Sequence, residues 1–159
     1  MGAYDTDFLR QLLTRNHRLY YYLNEIDEVA LEQMAIETTL DPLFYTNHHR
    51  VSVVRGGVST TGLLPNTLDK IIIRNAFHHF ENAPSMLVTI QTSLKAGGEL
   101  LIKEAFKDQC VGDCCTELIS TNKFKQVLQE AGFELLREQV LIDPNGFNWS
   151  FFRYSYQGS

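Results

Sequence analysis

With 159 residues, 44% of them apolar and 21% charged, the chain has the length of one domain and an ordinary globular composition, which argues against disorder and against a membrane class. The net charge of −5, with basic residues scattered singly, argues against a nucleic-acid partner. No apolar run approaches the roughly 20 residues of a membrane-spanning helix. Met1 to Asp5 also lack the basic and apolar regions of a signal peptide, so a cytoplasmic protein is expected.

In chain order, Asp5 to Asn16 predicts a helix, with Phe8, Leu9, Leu12 and Leu13 on one face. Arg18 to Leu23 is rich in tyrosine and leucine and predicts a strand, with Tyr20, Tyr21 and Tyr22 as packing residues. Asp27 to Leu40 predicts a helix with Val29, Met34 and Ile36 among its apolar positions, ended by Asp41-Pro42. Arg50 to Val54 is a short strand, followed by Gly56-Gly57 and a loop of small polar residues. Asp69 to Arg74 carries Ile71, Ile72 and Ile73, a run that suits a strand buried on both faces of a parallel sheet. Ala83 to Leu94 predicts a helix with Pro84 in its first turn, stopped before Gly97-Gly98, and Glu99 to Lys103 a strand. Asn122 to Ala131 is a helix stopped by Gly132. Phe133 to Ile142 and Asn148 to Tyr156 predict an antiparallel hairpin turning at Asp143-Pro144-Asn145-Gly146 and closing a sheet edge. Trp149, Phe151 and Phe152 there are read as core or dimer-contact residues.

Alternating helices and strands predict an α/β domain, residues 1–159, with a mostly parallel sheet and a C-terminal antiparallel hairpin. Such a domain ordinarily begins with a strand, and here the first element is a helix. Three cysteines, Cys110, Cys114 and Cys115, are an odd count in a pattern that matches no standard zinc spacing. They read as reduced thiols, and the metal expectation is none; a metal site with Asp113 or a distant histidine stays open as the alternative. His48-His49 precedes a strand and reads as solvent-facing. His78-His79 lies beyond a buried strand, where one imidazole could act as a general base near neutral pH. The other reading is a loop with one ring packed and one wet.

Four patterns occur in order: Asn24-Glu25-Ile26-Asp27 at a strand end; Leu64-Pro65 and Asp69 leading through the Ile-rich strand to Arg74-Asn75-Ala76-Phe77-His78-His79-Phe80; Leu94-Lys95-Ala96-Gly97-Gly98; and Leu128-Gln129-Glu130-Ala131-Gly132-Phe133. Together, over about Gly2 to Tyr156, they resemble the class I S-adenosylmethionine-dependent methyltransferases, a Rossmann-like α/β family. The resemblance implies a cofactor at the carboxyl ends of the strands. It implies that Glu25 grips the ribose hydroxyls, since a carboxylate accepts two hydrogen bonds at once, and that Ile26 packs on the adenine. Asn75, Ala76 and Phe77 would border the methionine part and the substrate, and His78 and His79 would be the catalytic candidates.

The departures are as informative. The family's first strand is missing, so the sequence reads as N-terminally truncated. Gly2 keeps one glycine of the cofactor loop, while Tyr4 and Thr6 stand where glycine is usual. Glycine there gives open backbone angles and close approach to the ligand. No acid stands near Gly57 or Ser59, where one ordinarily reads the adenine amino group, and Ala96 replaces a turn proline. Three readings follow: a methyltransferase acting on a small molecule, an inactive methyltransferase-like binding or oligomerisation module, or a piece of a longer enzyme. The absent strand would lie between those ending at Leu23 and Arg74. A partner chain covering that edge would make a homodimer.

Overall fold

The computed structural model describes residues 7–14, 19–44, 50–109, 118–143 and 147–156. The chain divides into two compact units, Met1–Gly57 and Val58–Ser159.

In the first unit, helix α1 (Asp7–Leu13) is followed by strand β1 (Tyr20–Glu25), helix α2 (Glu28–Leu40), a 3-10 turn at Pro42–Phe44 and strand β2 (Arg50–Arg55). β1 and β2 run parallel in the register Tyr20↔Arg50 to Glu25↔Arg55. A parallel pair needs a crossover, and α2 supplies it. Asp27 starts that helix by accepting the Ala30 N–H at 2.8 Å. Asp41, held extended before Pro42, ends it. Leu9 and Leu13 of α1 meet Leu23, Met34 and Phe44 in a small core, with Tyr21, Val51 and Val53 against it. The Asp41 carboxyl lies below its ordinary range because the Leu43 N–H donates to it and Arg10 pairs with it, against a smaller upward push from burial.

Three local expectations change here. Only Tyr21 of the tyrosine run packs inward; Tyr20 and Tyr22 are exposed. The buried face of α2 is Ala30 and Met34, four residues apart, while Val29 and Ile36 face solvent. β1 ends at Glu25 rather than Leu23, because Asn24 and Glu25 continue the ladder against Val54 and Arg55.

The second unit holds strand β3 (Leu68–Arg74), a 3-10 turn at Phe77–His79, helix α3 (Ala83–Ser93), strand β4 (Leu94–Glu104), a 3-10 turn at Lys107–Gln109, helix α4 (Thr121–Glu130), and strands β5 (Glu134–Ile142) and β6 (Asn148–Ser155). The sheet order is β3-β4-β6-β5. β3 and β4 are parallel, and β6 is antiparallel to both β4 and β5. The hairpin therefore inserts its second strand beside β4 and leaves β5 as the edge. Every position of β5 is exposed.

Asn82 caps α3 and Ser120 caps α4 through their side-chain oxygens. Gly97, at φ +74°, turns the chain into the straight part of β4. A Cβ on Gly98 would stand 2.8 Å from the Lys95 carbonyl oxygen. Ile71 and Ile73 are buried and Ile72 is not fully so, which makes β3 an alternating strand rather than one covered on both faces. Their register partners on β4, Leu100 and Ile102, are buried too, as are Leu87 and Ile90 of α3, and an aromatic cluster centres on Phe124. Its ring lies 4.9 Å from Phe77, 5.0 Å from Phe106 and 4.9 Å from Phe152. Phe152 is thus core, as expected of the hairpin aromatics, while Trp149 is half-buried with the Lys103 ammonium 3.9 Å above its ring.

Candidate functional site

Each unit carries one feature at the carboxyl ends of its parallel strands. In the first, Glu25 is the last residue of β1, and its carbonyl accepts the Gly56 N–H at 2.8 Å, one step beyond the ladder. Its side chain folds over the turn into α2: Oε1 accepts the Ile26 N–H at 2.7 Å and the Asp27 N–H at 3.4 Å. Among the described residues Oε2 has no partner. One carboxylate oxygen is thereby anchored and the other is left for an incoming donor. This donor set fits a sugar diol, and the neighbouring half-exposed Ile26 (49%) offers an apolar surface to a ring. Asp27 is occupied as the cap of α2.

In the second unit the chain leaves β3 through Asn75, whose N–H donates to the Lys103 carbonyl at 2.7 Å. Asn75 has φ +48°, a left-handed conformation that asparagine tolerates better than most side chains. It reverses the chain so that Ala76 and Phe77 are buried while the side chain of Asn75 stays exposed. The 3-10 turn that follows is tied to β4 by one group, the Glu104 carboxylate, which is wholly buried. Oε2 accepts the Phe77 N–H at 2.9 Å; Oε1 accepts the Ala105 N–H at 3.0 Å and faces His78 Nδ1 at 3.0 Å. The His78 and His79 rings lie 3.9 Å apart, tilted by 52°. His79 is exposed, and 10% of the His78 side chain is. His78 thus meets Glu104, with His79 against its ring, and Asn75 and Ala76 immediately precede them in the chain.

Glu104 was not among the residues picked from sequence, where the strand was ended at Lys103. A signal existed: Leu100, Ile102 and Glu104 recur at the inward-facing period of two, so an acid sits where the strand pattern requires a buried side chain. A buried carboxylate needs partners; the turn supplies two, the Phe77 N–H and His78 Nδ1, and the Ala105 N–H at the strand's own end is the third.

Beyond β4, Asp108 anchors the start of α4. Burial pushes its carboxyl up, but hydrogen bonds from the Thr121 N–H at 2.8 Å and Oγ1 at 3.0 Å, with others, leave it below the ordinary range. Gly2, His48, His49, Cys110, Cys114 and Cys115 lie outside the described residues. Among the described residues no group of three or more His, Cys, Asp or Glu could hold a metal ion, and no helix is long and apolar enough to cross a membrane.

Residues 4–102 match the sequence model of a family described as a methyltransferase domain. A search of curated proteins gave no match. Among solved structures, a SAM-dependent methyltransferase from Aquifex aeolicus superposes with a TM-score of 0.73 at 18% identity, covering 93% of this chain and 73% of that one. A glycopeptide N-methyltransferase complexed with S-adenosyl-L-homocysteine gives 0.69 at 11%, covering 91% and 75%. A 4+2 cyclase, SpnF, gives 0.70 at 12%, covering 96% and 81%. At these identities the likeness is one of fold.

Proposed function

Since the chain belongs to the methyltransferase domain family, we propose that it binds S-adenosylmethionine and methylates a small-molecule acceptor. The observation that carries this reading is the Glu25 carboxylate, held through one oxygen by two backbone N–H groups, with no partner for the other oxygen among the described residues. Glu25 would hold the ribose hydroxyls and Ile26 would pack on the adenine. Asn75 and Ala76 would border the methionine part, and His78 and His79 the acceptor. When bound, the cofactor supplies an electrophilic methyl group on its sulfonium. The protein's part is to orient the acceptor and exclude water, which alone can supply a large share of the acceleration.

A second reading, a module that binds without transferring methyl, is favoured by Tyr4 and Thr6 at positions where the family uses glycine, and by a 4+2 cyclase on the same fold. Calorimetric titration with S-adenosylhomocysteine tests the cofactor binding on which the first reading depends. Micromolar binding by the wild-type chain, weakened by about 1–3 kcal/mol in Glu25→Ala, supports the first reading. No binding by a folded wild-type sample overturns it.

A further inference from the structure

The bonds of Glu104 to the Phe77 and Ala105 N–H groups are sufficient for a purely structural tie between β4 and the turn after β3. The third contact, to His78 Nδ1, does something further. An ionised carboxylate only accepts hydrogen bonds, and Glu104 has no exposure to water through which another donor could reach it. With each Glu104 oxygen already accepting a backbone N–H, a carboxylate there accepts Nδ1–H of the imidazole. In the neutral ring this places the lone pair on Nε2. Nε2 has no hydrogen-bond partner among the described residues. Unlike the Tyr154 hydroxyl, it is not one of the unpartnered atoms sealed from solvent. The His79 ring lies against that of His78, 3.9 Å away and tilted by 52°.

Resting on the methyltransferase reading, we propose that Glu104 is a positioning residue. It locks His78 in the Nδ1–H tautomer, so that Nε2 takes the proton from an acceptor whose methylated atom carries one, a hydroxyl or an N–H group. The acceptor's O–H or N–H bond breaks and its proton goes to the Nε2 lone pair. The freed electron pair forms the bond to the methyl carbon, and the pair of the broken carbon–sulfur bond stays on the cofactor's sulfur. The proton sits on Nε2 of an imidazolium whose charge the buried carboxylate balances through Nδ1, the arrangement by which a carboxylate supports a histidine base in hydrolases.

The test reads the tautomer directly, in ligand-free protein. Nitrogen-15 NMR of the His78 ring at about pH 8, above the ordinary imidazole range, should show a protonated Nδ1 and a bare Nε2. A proton on Nε2 in the wild-type chain overturns the proposal whatever any variant does. In Glu104→Gln the amide NH2 replaces one acceptor. The NH2 must oppose one backbone N–H, of Phe77 or of Ala105; turned toward Ala105 and His78, it makes the imidazole accept at Nδ1, and the ring proton moves to Nε2. Carbethoxylation by diethyl pyrocarbonate, located by fragment mass, should then be lost at His78 and retained at the exposed His79 in the same sample. An unchanged tautomer in a folded Glu104→Ala chain, which has no oxygen left to hold Nδ1–H, also overturns the proposal. Titration of the wild type and both variants with S-adenosylhomocysteine keeps the failures apart. Loss of binding in the wild type removes the methyltransferase reading while leaving the tautomer result standing. A tautomer failure with binding intact removes only the role of Glu104.

Discussion

Asn75 shows how one backbone angle sets a site. At φ +48° it leaves the β3–β4 ladder immediately after its own N–H has bonded the Lys103 carbonyl, and this abrupt reversal brings Phe77 and His78 back over Glu104. A β-branched side chain resists the left-handed region by roughly 1–2 kcal/mol. Asn75→Val should therefore lower stability by about that amount, seen as a fall in melting temperature of a few degrees. Asn75→Gly should melt close to the wild type, because glycine adopts the same angle freely. A Val variant as stable as the Gly variant would show that the turn does not depend on this angle.

At the scale of elements, two arrangements hold the second unit together. Phe124 of α4 contacts Phe77, Phe106 and Phe152, so one ring joins the helix to the turn after β3, to the end of β4 and to β6. It is wholly buried, and Phe124→Ala should cost about 3–5 kcal/mol in urea denaturation. Because Phe77 loses a ring contact as well, the His78 NMR signals should broaden in that variant. Across the sheet, Glu99 of β4 pairs with Lys70 of β3 and with Arg153 of β6, whose Nε lies 3.0 Å from Oε1. Arg153, then Lys70, holds the Glu99 carboxyl below its ordinary range, against a smaller upward push from burial. A carboxylate with a lowered value in the folded state stabilises fully above the unfolded value, about 4.3. That contribution is lost as the pH falls through the lower folded value. Glu99→Gln should accordingly be less stable than the wild type at pH 7 and should lose less on acidification. Denaturation midpoints at neutral and at acid pH check this, and equal losses in the two proteins would count against it.

At the scale of the whole molecule, the sequence carried the succession of elements well. Glycine, proline and capping residues punctuate nearly every boundary, as at Asp27, Asp41-Pro42, Asn82 and Gly132. Periodicity was weaker evidence where a face is shared with solvent: Tyr20 and Tyr22 look apolar enough to pack and do not. The place of β6 between β4 and β5 was not legible, because a hairpin's local chemistry fixes its turn but not which of its strands meets the rest of the sheet. In the candidate site, Glu25, Asn75, Ala76 and the histidines were legible as types at strand ends. Glu104 is not legible because a lone acid at a strand terminus ordinarily means a solvated charge, and only the three-dimensional turn brings the Phe77 N–H and His78 to it. The family assignment rests on residues 4–102, and the chemistry must be argued from the side chains of the site, since the same fold carries a cyclase.

The position of β6 bears on how the protein is made. Its ladder with β4 runs from Glu99↔Ser155 to Glu104↔Ser150, so β4 emerges from the ribosome well before the strand that will cover its free edge. At roughly 5–20 residues per second, the interval between the synthesis of Glu104 and that of Asn148 is a few seconds. During that time Leu100 and Ile102 belong to a strand with an open side, and an unpaired edge of this kind is prone to aggregate until its partner arrives.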